Sequence, residues 1–237
     1  MALFTEEAVR ANLRVKDGKR VFYQAEGDRL TPSAREWLRQ EHVEILPAAL
    51  AKPQQFRTVF GATLAEKPEH MTHLEGNLLV MKDHPRIRFR GMVDLVEAEI
   101  LLCLPTARQE GKTEVATGLE ELLTVVRSLI PCDVLGEPMK PLKLLGLSQE
   151  ELRSHSHLPQ KFYDQPHFMP DGRECLTLLS LNRLRTLIRQ MEISAFTAFC
   201  PNEFSPGRED ILQTVNRLSS FVYILMIRLK AKEKKHE

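Results

Sequence analysis

LNRLRTLIRQME (181–192) and DILQTVNRLSSFVYILMI (210–227) are the two stretches whose reading decides the fold. In the second, Ile211, Val215, Leu218, Val222, Leu225 and Leu229 recur in alternating steps of four and three. That is the seam of a helix packed lengthwise against others in a bundle. Asn216 and Arg217 lie beside the seam. In the first, Leu184, Leu187, Ile188 and Met191 supply a buried face, while Asn182, Arg185, Arg189 and Glu192, spaced by three, four and three, form one polar stripe. Two guanidiniums one turn apart are able to hold an anion. The same stripe also reads as a solvated face, in which Arg189 and Glu192 make an exposed pair worth roughly 0.2–0.5 kcal/mol.

Working outward, apolar residues recur at helical intervals near 86–106, 113–134, 174–200 and 208–232, with a shorter run at 148–155. These predict a mainly α chain with a bundle of four long helices plus a short fifth. VMKDHPRIRFRGMVD (80–94) leads into the first long helix through a proline-marked boundary. Between the short helix and the third long one, Pro159, Pro166 and Pro170 make a segment too proline-rich for helix or central strand. Toward the N-terminus, RVFYQA (20–25) is rich in β-formers, Thr31-Pro32-Ser33 is helix-start chemistry, AREWLRQEH reads as a short helix and VEIL (43–46) as another strand. The expected organisation is a small β-α-β appendage in 1–50, a linker in 51–66 that includes Pro53 and Gly61, and the helical body in 67–237.

The 237 residues carry 33 basic and 32 acidic side chains, a net charge of +1, which argues against a large nucleic-acid footprint or a polybasic membrane surface. No apolar run reaches the ~20 residues of a membrane span, and MALFTEEAVR has no signal-peptide core, so a cytoplasmic protein is expected. Cys103, Cys132, Cys175 and Cys200 show no Cys-x-x-Cys or Cys/His ligand spacing and read as separate thiols. His155, His157 and His167 fall close together with Phe162, Tyr163 and Phe168, but without a carboxylate or thiol at a recognised ligand spacing.

Lys82-Asp83, Gly91 to Asp94, Arg185-Thr186 through Arg189 and Glu192, and Asn216-Arg217-Leu218-Ser219 together form an ordered pattern. It resembles that of the PduO-like corrinoid adenosyltransferases: Lys-Asp, Gly-x-x-Asp-Glu-Leu, Arg-Thr-x-x-Arg-x-x-Glu, Leu-Asn-Arg-Leu-Ser. RLTPSARE (29–36), KPEHMTHL (67–74), LGEP (135–138), SHSHLPQKFYDQPHFMP (154–170) and DILQTVNRLSS (210–220) are similar to the ethanolamine-utilisation branch in particular. The chain departs from the family at three places. Leu95 and Val96 follow Asp94 where the family has Glu-Leu, and no Gly-rich Thr-Gly-Asp-x-Gly stretch precedes Thr72. LPAALAKPQQFRTVFGATLAE stands where some ethanolamine-type members carry a metal motif of one histidine and three cysteines, so no structural zinc or iron is expected.

The resemblance implies a PduO-like bundle that moves the 5′-deoxyadenosyl group of ATP, with Mg²⁺, onto cob(I)alamin, supplying ethanolamine ammonia-lyase. It implies catalytic roles for Arg185 and Arg189, and ATP contacts from Thr72, His73, Lys82, Arg189, Glu192 and Asn216. Phe168 would displace the lower axial ligand of the corrinoid, with an ordinary core aromatic as the alternative. Asp94 would pair with Arg185 across a subunit boundary of a homotrimer. Leu212, Phe221, Ile224 and Ile227, outside the main seam, need a second partner: the short fifth helix or a neighbouring subunit. A corrinoid reductase would be a functional partner, and ethanolamine-utilisation proteins or their microcompartment further associates. The other class of reading is a non-catalytic corrinoid- or partner-binding bundle, since a shared fold does not establish chemistry.

Overall fold

The chain divides into two units, Met1–Lys67 and Pro68–Glu237. The computed structural model describes residues 2–16, 18–50, 55–200 and 206–233.

In the N-terminal unit, β1 (Leu3–Phe4), α1 (Glu6–Ala11), β2 (Arg14–Lys16), β3 (Lys19–Gln24), β4 (Arg29–Leu30), α2 (Pro32–Gln40) and β5 (Glu44–Pro47) follow in order. Strand β3 runs antiparallel to β2 and parallel to β5, with Phe22 opposite Ile45. Parallel neighbours need a crossover. Here α2 supplies it, started by Thr31, whose side chain accepts the Ala34 N–H, and by Pro32 in the first turn. Val9, Phe22, Leu30, Ala34, Leu38 and Val43 form the small core, with Trp37 packed at its edge. The β-α-β pattern read from 20–46 is thus present. The stretch taken as linker holds a hairpin, β6 (Phe56–Thr58) and β7 (Thr63–Leu64). Gly61, at φ +85°, permits its turn, and Thr58 closes it by exchanging backbone hydrogen bonds with Ala62 and Gly61. Pro53 lies outside the described residues.

The second unit opens with a hairpin, β8 (Met71–Glu75) and β9 (Leu78–Met81), turned at Gly76. Then come α3 (Pro85–Gln109), α4 (Thr113–Leu135), the short pair β10 (Lys143–Leu144) and β11 (Leu147–Ser148), α5 (Gln149–His157), α6 (Pro159–Tyr163), α7 (Leu176–Phe199) and α8 (Glu209–Glu233). The four long helices are those expected. Helix α7 packs on both α3 and α8, α3 also packs on α4, and α4 meets α8, closing the bundle. Pro159 begins the short helix α6 where a proline-rich loop was expected, because at the first helical position the missing N–H costs nothing.

Helices α5 and α6 pack against α8, and Phe221, Ile224 and Ile227 are fully buried within a single chain. These three residues are therefore covered within the chain, Phe221 in part by α4, and require no neighbouring subunit, while Leu212 stays half-buried. Close approach of α8 to α4 depends on Gly118. A Cβ there would stand 2.9 Å from Leu225 Cδ2 and 3.1 Å from Phe221 Cζ.

Polar ties fix the helix ends. Asp133, at the end of α4, has a fully buried carboxylate that accepts from Arg86 Nε at 2.8 Å and Arg90 Nε at 2.7 Å. Arg90 also donates to the carbonyls of His73 and Leu74, so one knot joins the β8 strand, α3 and α4. Removing one member of such a buried set typically costs ~3–5 kcal/mol. Glu110 accepts from the backbone N–H groups of Leu176 and Thr177, both at 3.1 Å, and so caps α7 from the end of α3. At the start of α8, Asp210 accepts from Arg208 Nε at 3.0 Å and from the Met139 N–H at 2.9 Å. Among the described residues no helix is long and apolar enough to cross a membrane.

The Arg208 bonds, against the opposing effect of burial, hold the Asp210 carboxyl at about 2, below its ordinary 3.8. A carboxyl lowered on folding stabilises the fold above its unfolded pKa and loses that contribution as pH falls through the folded one. Urea unfolding should therefore show Asp210→Asn less stable than the parent by ~1–2 kcal/mol at neutral pH. The gap should close between about pH 4 and 2.

Candidate active site

Because α7 is flanked by α3 on one side and α8 on the other, its polar stripe emerges along the edge next to α5 and α8. Arg185 and Arg189 line a cavity of about 280 Å³ there, facing Ser156 and His157 of α5 and Ser219, Ser220 and Tyr223 of α8. His167, from the loop between α6 and α7, completes the wall. Arg185 is half-buried, and Arg189 is exposed at the mouth. Arg185 Nη2 donates to Asn182 Oδ1 at 3.2 Å, and its guanidinium carbon lies 5.8 Å from the centre of the Tyr223 ring. Arg185 Nε is buried with no hydrogen-bond partner.

Among the described residues no carboxylate forms an ion pair with Arg185 or Arg189. Burial first, and the neighbouring Arg189 charge second, lower the pKa of Arg185, with Tyr223 acting in the opposite sense. Arg185 thus carries a buried N–H left over beside a second cation, and neither guanidinium has a carboxylate partner among the described residues. Arg183, one step off the stripe, contrasts with them: it is bound to the buried Glu99 of α3 at 3.0 Å. Further along the same groove the pKa of Arg217 is lowered by burial and by the charge of Arg153, with Glu192 opposing. The Glu192 charge therefore bears on Arg217. The exposed Arg189–Glu192 pair of the solvated-face reading is not formed among the described residues.

The remaining expected residues are placed elsewhere. Asn216 is exposed on α8, its Oδ1 accepting from Arg217 Nη1 at 3.3 Å. Thr72 and His73 lie on β8, and Lys82 follows β9, its Nζ 3.8 Å from Glu69. None of these three lines the arginine cavity. Asp94 is exposed on α3 and makes no ion pair with Arg185 inside the chain. Phe168 is half-buried, stacked on Tyr223 with ring centres 6.4 Å apart. It packs on the core rim beside Arg185 rather than deep in the bundle.

The three histidines separate into two groups. His155 Nδ1 meets the Tyr163 hydroxyl at 2.7 Å and stacks on Phe162, with Arg228 behind the tyrosine. Burial, then Arg228, lowers its pKa, which keeps the ring neutral. His157 and His167 belong to the arginine cavity. Among the described residues no three His, Cys, Asp or Glu side chains are grouped so as to hold a metal ion.

Sequence reasoning gave no site role to Ser219, Ser220 or Tyr223, although Ser219 closes the motif that begins at Asn216. They follow Asn216 by three, four and seven positions, one helical face that was legible beside the apolar seam. It was overlooked because Tyr and Ser next to a core stripe read as its rim.

Among the described residues, the helical bundle presents at a groove between helices an arginine pair without a carboxylate partner, an arrangement suited to an anionic ligand. The chain belongs to the cobalamin adenosyltransferase family, whose sequence profile matches residues 62–229. It is 32% identical over 250 residues to the corrinoid adenosyltransferase EutT of Escherichia coli (strain K12), covering 94% of this chain and 90% of that one. It is 30% identical over 255 residues to the corrinoid adenosyltransferase EutT of Salmonella typhimurium (strain LT2), covering 96% and 92%. The likeness to these relatives extends beyond the bundle into the N-terminal unit.

If the cavity is an anion site, inorganic triphosphate should bind the full chain, and calorimetry should find it ~10–100-fold weaker for Arg185→Ala or Arg189→Ala, the loss of one charge-assisted bond. Arg183→Ala, already paired with Glu99, should change it by no more than about twofold.

Proposed function

We propose that this enzyme transfers the 5′-deoxyadenosyl group of MgATP to cob(I)alamin, giving adenosylcobalamin and inorganic triphosphate. The observation that supports this most is the Arg185–Arg189 pair, which has no carboxylate among the described residues and lines a cavity of triphosphate scale. In the reaction the cobalt electron pair forms the Co–C5′ bond, and the C5′–O bond breaks with its electrons leaving on the triphosphate. Cobalt is itself the nucleophile, so the protein's tasks are alignment and stabilisation of the departing charge. Arg189 at the cavity mouth suits the leaving phosphates, with Arg185 held behind it. Asn216 serves the nucleotide from α8, and Phe168 lies on the corrinoid side. The reading extends to ethanolamine utilisation, in which the product would serve ethanolamine ammonia-lyase, a corrinoid reductase would supply cob(I)alamin, and a microcompartment would be a further associate.

Thr72, His73 and Lys82 do not reach the cavity of their own chain, so a complete site takes them from a neighbour. A homotrimer supplies that arrangement. Support comes from an exposed stripe on α3 of Gly91, Leu95, Ala98 and Leu102, spaced by four, three and four, with Ile193 and Phe196 exposed on the adjoining α7. An apolar stripe at that spacing is a surface for helix packing. Asp94 lies beside this stripe, where it would meet Arg185 of the next chain.

Arg189→Ala should fold normally and lose about 2.7–4 kcal/mol of transition-state stabilisation, ~100–1000-fold in kcat. The check is the light-sensitive spectrum formed from reduced cobalamin and MgATP; near-normal turnover by the variant would remove Arg189 from the mechanism. Asp94→Arg should weaken both assembly and turnover, and adding Arg185→Asp should recover part of the assembly, measured by light scattering. A fully active monomer would refute the shared site.

A further inference from the structure

Between α6 and α7 the chain runs from Asp164 to Cys175 without regular structure, and it carries Phe168. Its C-terminal end is tied down by Glu174, bonded to Lys230 at 2.7 Å. Its middle is different. Across 166–173, the side-chain hydrogen bonds from the loop to the helices, among the described residues, are those of His167: Nε2 to the His157 carbonyl at 3.3 Å and Nδ1 to the Tyr223 hydroxyl at 2.9 Å. A carbonyl only accepts, so Nε2 carries the proton. In the neutral ring Nδ1 is then the acceptor, and the Tyr223 O–H donates to it. The imidazole also lies parallel to the Tyr223 ring, at 6° and 5.8 Å between centres, and Phe168 stacks on the same ring. Arg185 approaches that ring as well.

We propose that Tyr223 is a positioning residue of the transfer site: its hydroxyl, through His167, pins the 164–175 loop and so places Phe168, while its ring holds the Arg185 guanidinium. The inference rests on the adenosyltransferase reading for the role of Phe168, but the pinning itself stands on the geometry. Two consecutive loop residues converge on one side chain of α8. The hydroxyl acts on the loop and the ring acts on the arginine, so the two are separable by substitution. Tyr223→Phe keeps the ring and removes only the donor to His167. Tyr223→Leu removes both.

The test combines amide hydrogen exchange of the full chain with steady-state kinetics. In Tyr223→Phe and in His167→Ala, exchange across 164–173 should accelerate about tenfold, the equivalent of one lost hydrogen bond. Turnover should fall while KM for ATP stays within about twofold, because Arg185 keeps its ring. Tyr223→Leu should in addition raise KM for ATP. Unchanged exchange across 164–173 in Tyr223→Phe, or a raised KM for ATP with kcat unchanged, overturns the proposal. His167 lies on an exposed loop, so His167→Ala provides the same test should a change in α8 disturb folding. Absence of adenosyl transfer by the parent protein would refute the functional reading and leave the exchange result to decide the positioning.

Discussion

The structure of the second unit depends on α7 having a helix on each side. A helix packed against α3 and α8 has spent most of its circumference on apolar contact, and the polar residues it carries are confined to the strip that remains. In α7 that strip is Asn182, Arg185, Arg189 and Glu192. Arg183, just off it, falls on the α3 side and is neutralised by Glu99, whereas Arg185 and Arg189 face α5 and α8, which present hydroxyls and imidazoles. The difference between an arginine with a carboxylate partner and one without is here a rotation of the helix face, not a difference in residue type.

Leaving guanidiniums without carboxylates is costly in a folded chain, since burial lowers the pKa of Arg185 and Arg189 adds repulsion. The surrounding bundle tolerates it because its other buried charges are well matched. Asp133 is held by Arg86 and Arg90, Glu110 caps α7, and Asp210 is locked to Arg208. Each of these ties fixes the end of a long helix. They join the ends of α3, α4, α7 and α8, while Arg185 and Arg189 have no carboxylate partner among the described residues. A ligand that supplies anionic oxygens would relieve their unmet charge, which is the physical link between this fold and the chemistry of the cobalamin adenosyltransferase family to which the chain belongs.

The two halves of the expected site are unequal within one chain. The α7 and α8 residues converge, while Thr72, His73 and Lys82 stay on the β8–β9 hairpin and its exit, away from the arginine cavity. Phe221, Ile224 and Ile227 of α8 are buried within the single chain, Phe221 in part by α4. What remains for another chain is the exposed stripe of α3 and the end of α7.

From the sequence alone, periodicity determined the four long helices and the short fifth, because each buries a continuous stripe and that requirement is local. Motif order determined the family and the identity of the arginine stripe. The β-α-β pattern near the N-terminus was legible for the same local reason, in the strand composition around Thr31-Pro32. Only the tertiary structure decided which guanidiniums lack a partner. Whether Arg183 or Arg185 meets a carboxylate depends on residues 99 and 223, far from either in sequence and brought close only by helix packing. It also decided that His155 turns to Tyr163 while His157 and His167 turn to the cavity, that 51–66 contains a hairpin, and that one tyrosine of α8 gathers His167, Phe168 and Arg185. Such contacts are set by where side chains meet across elements, and no spacing along the chain encodes that.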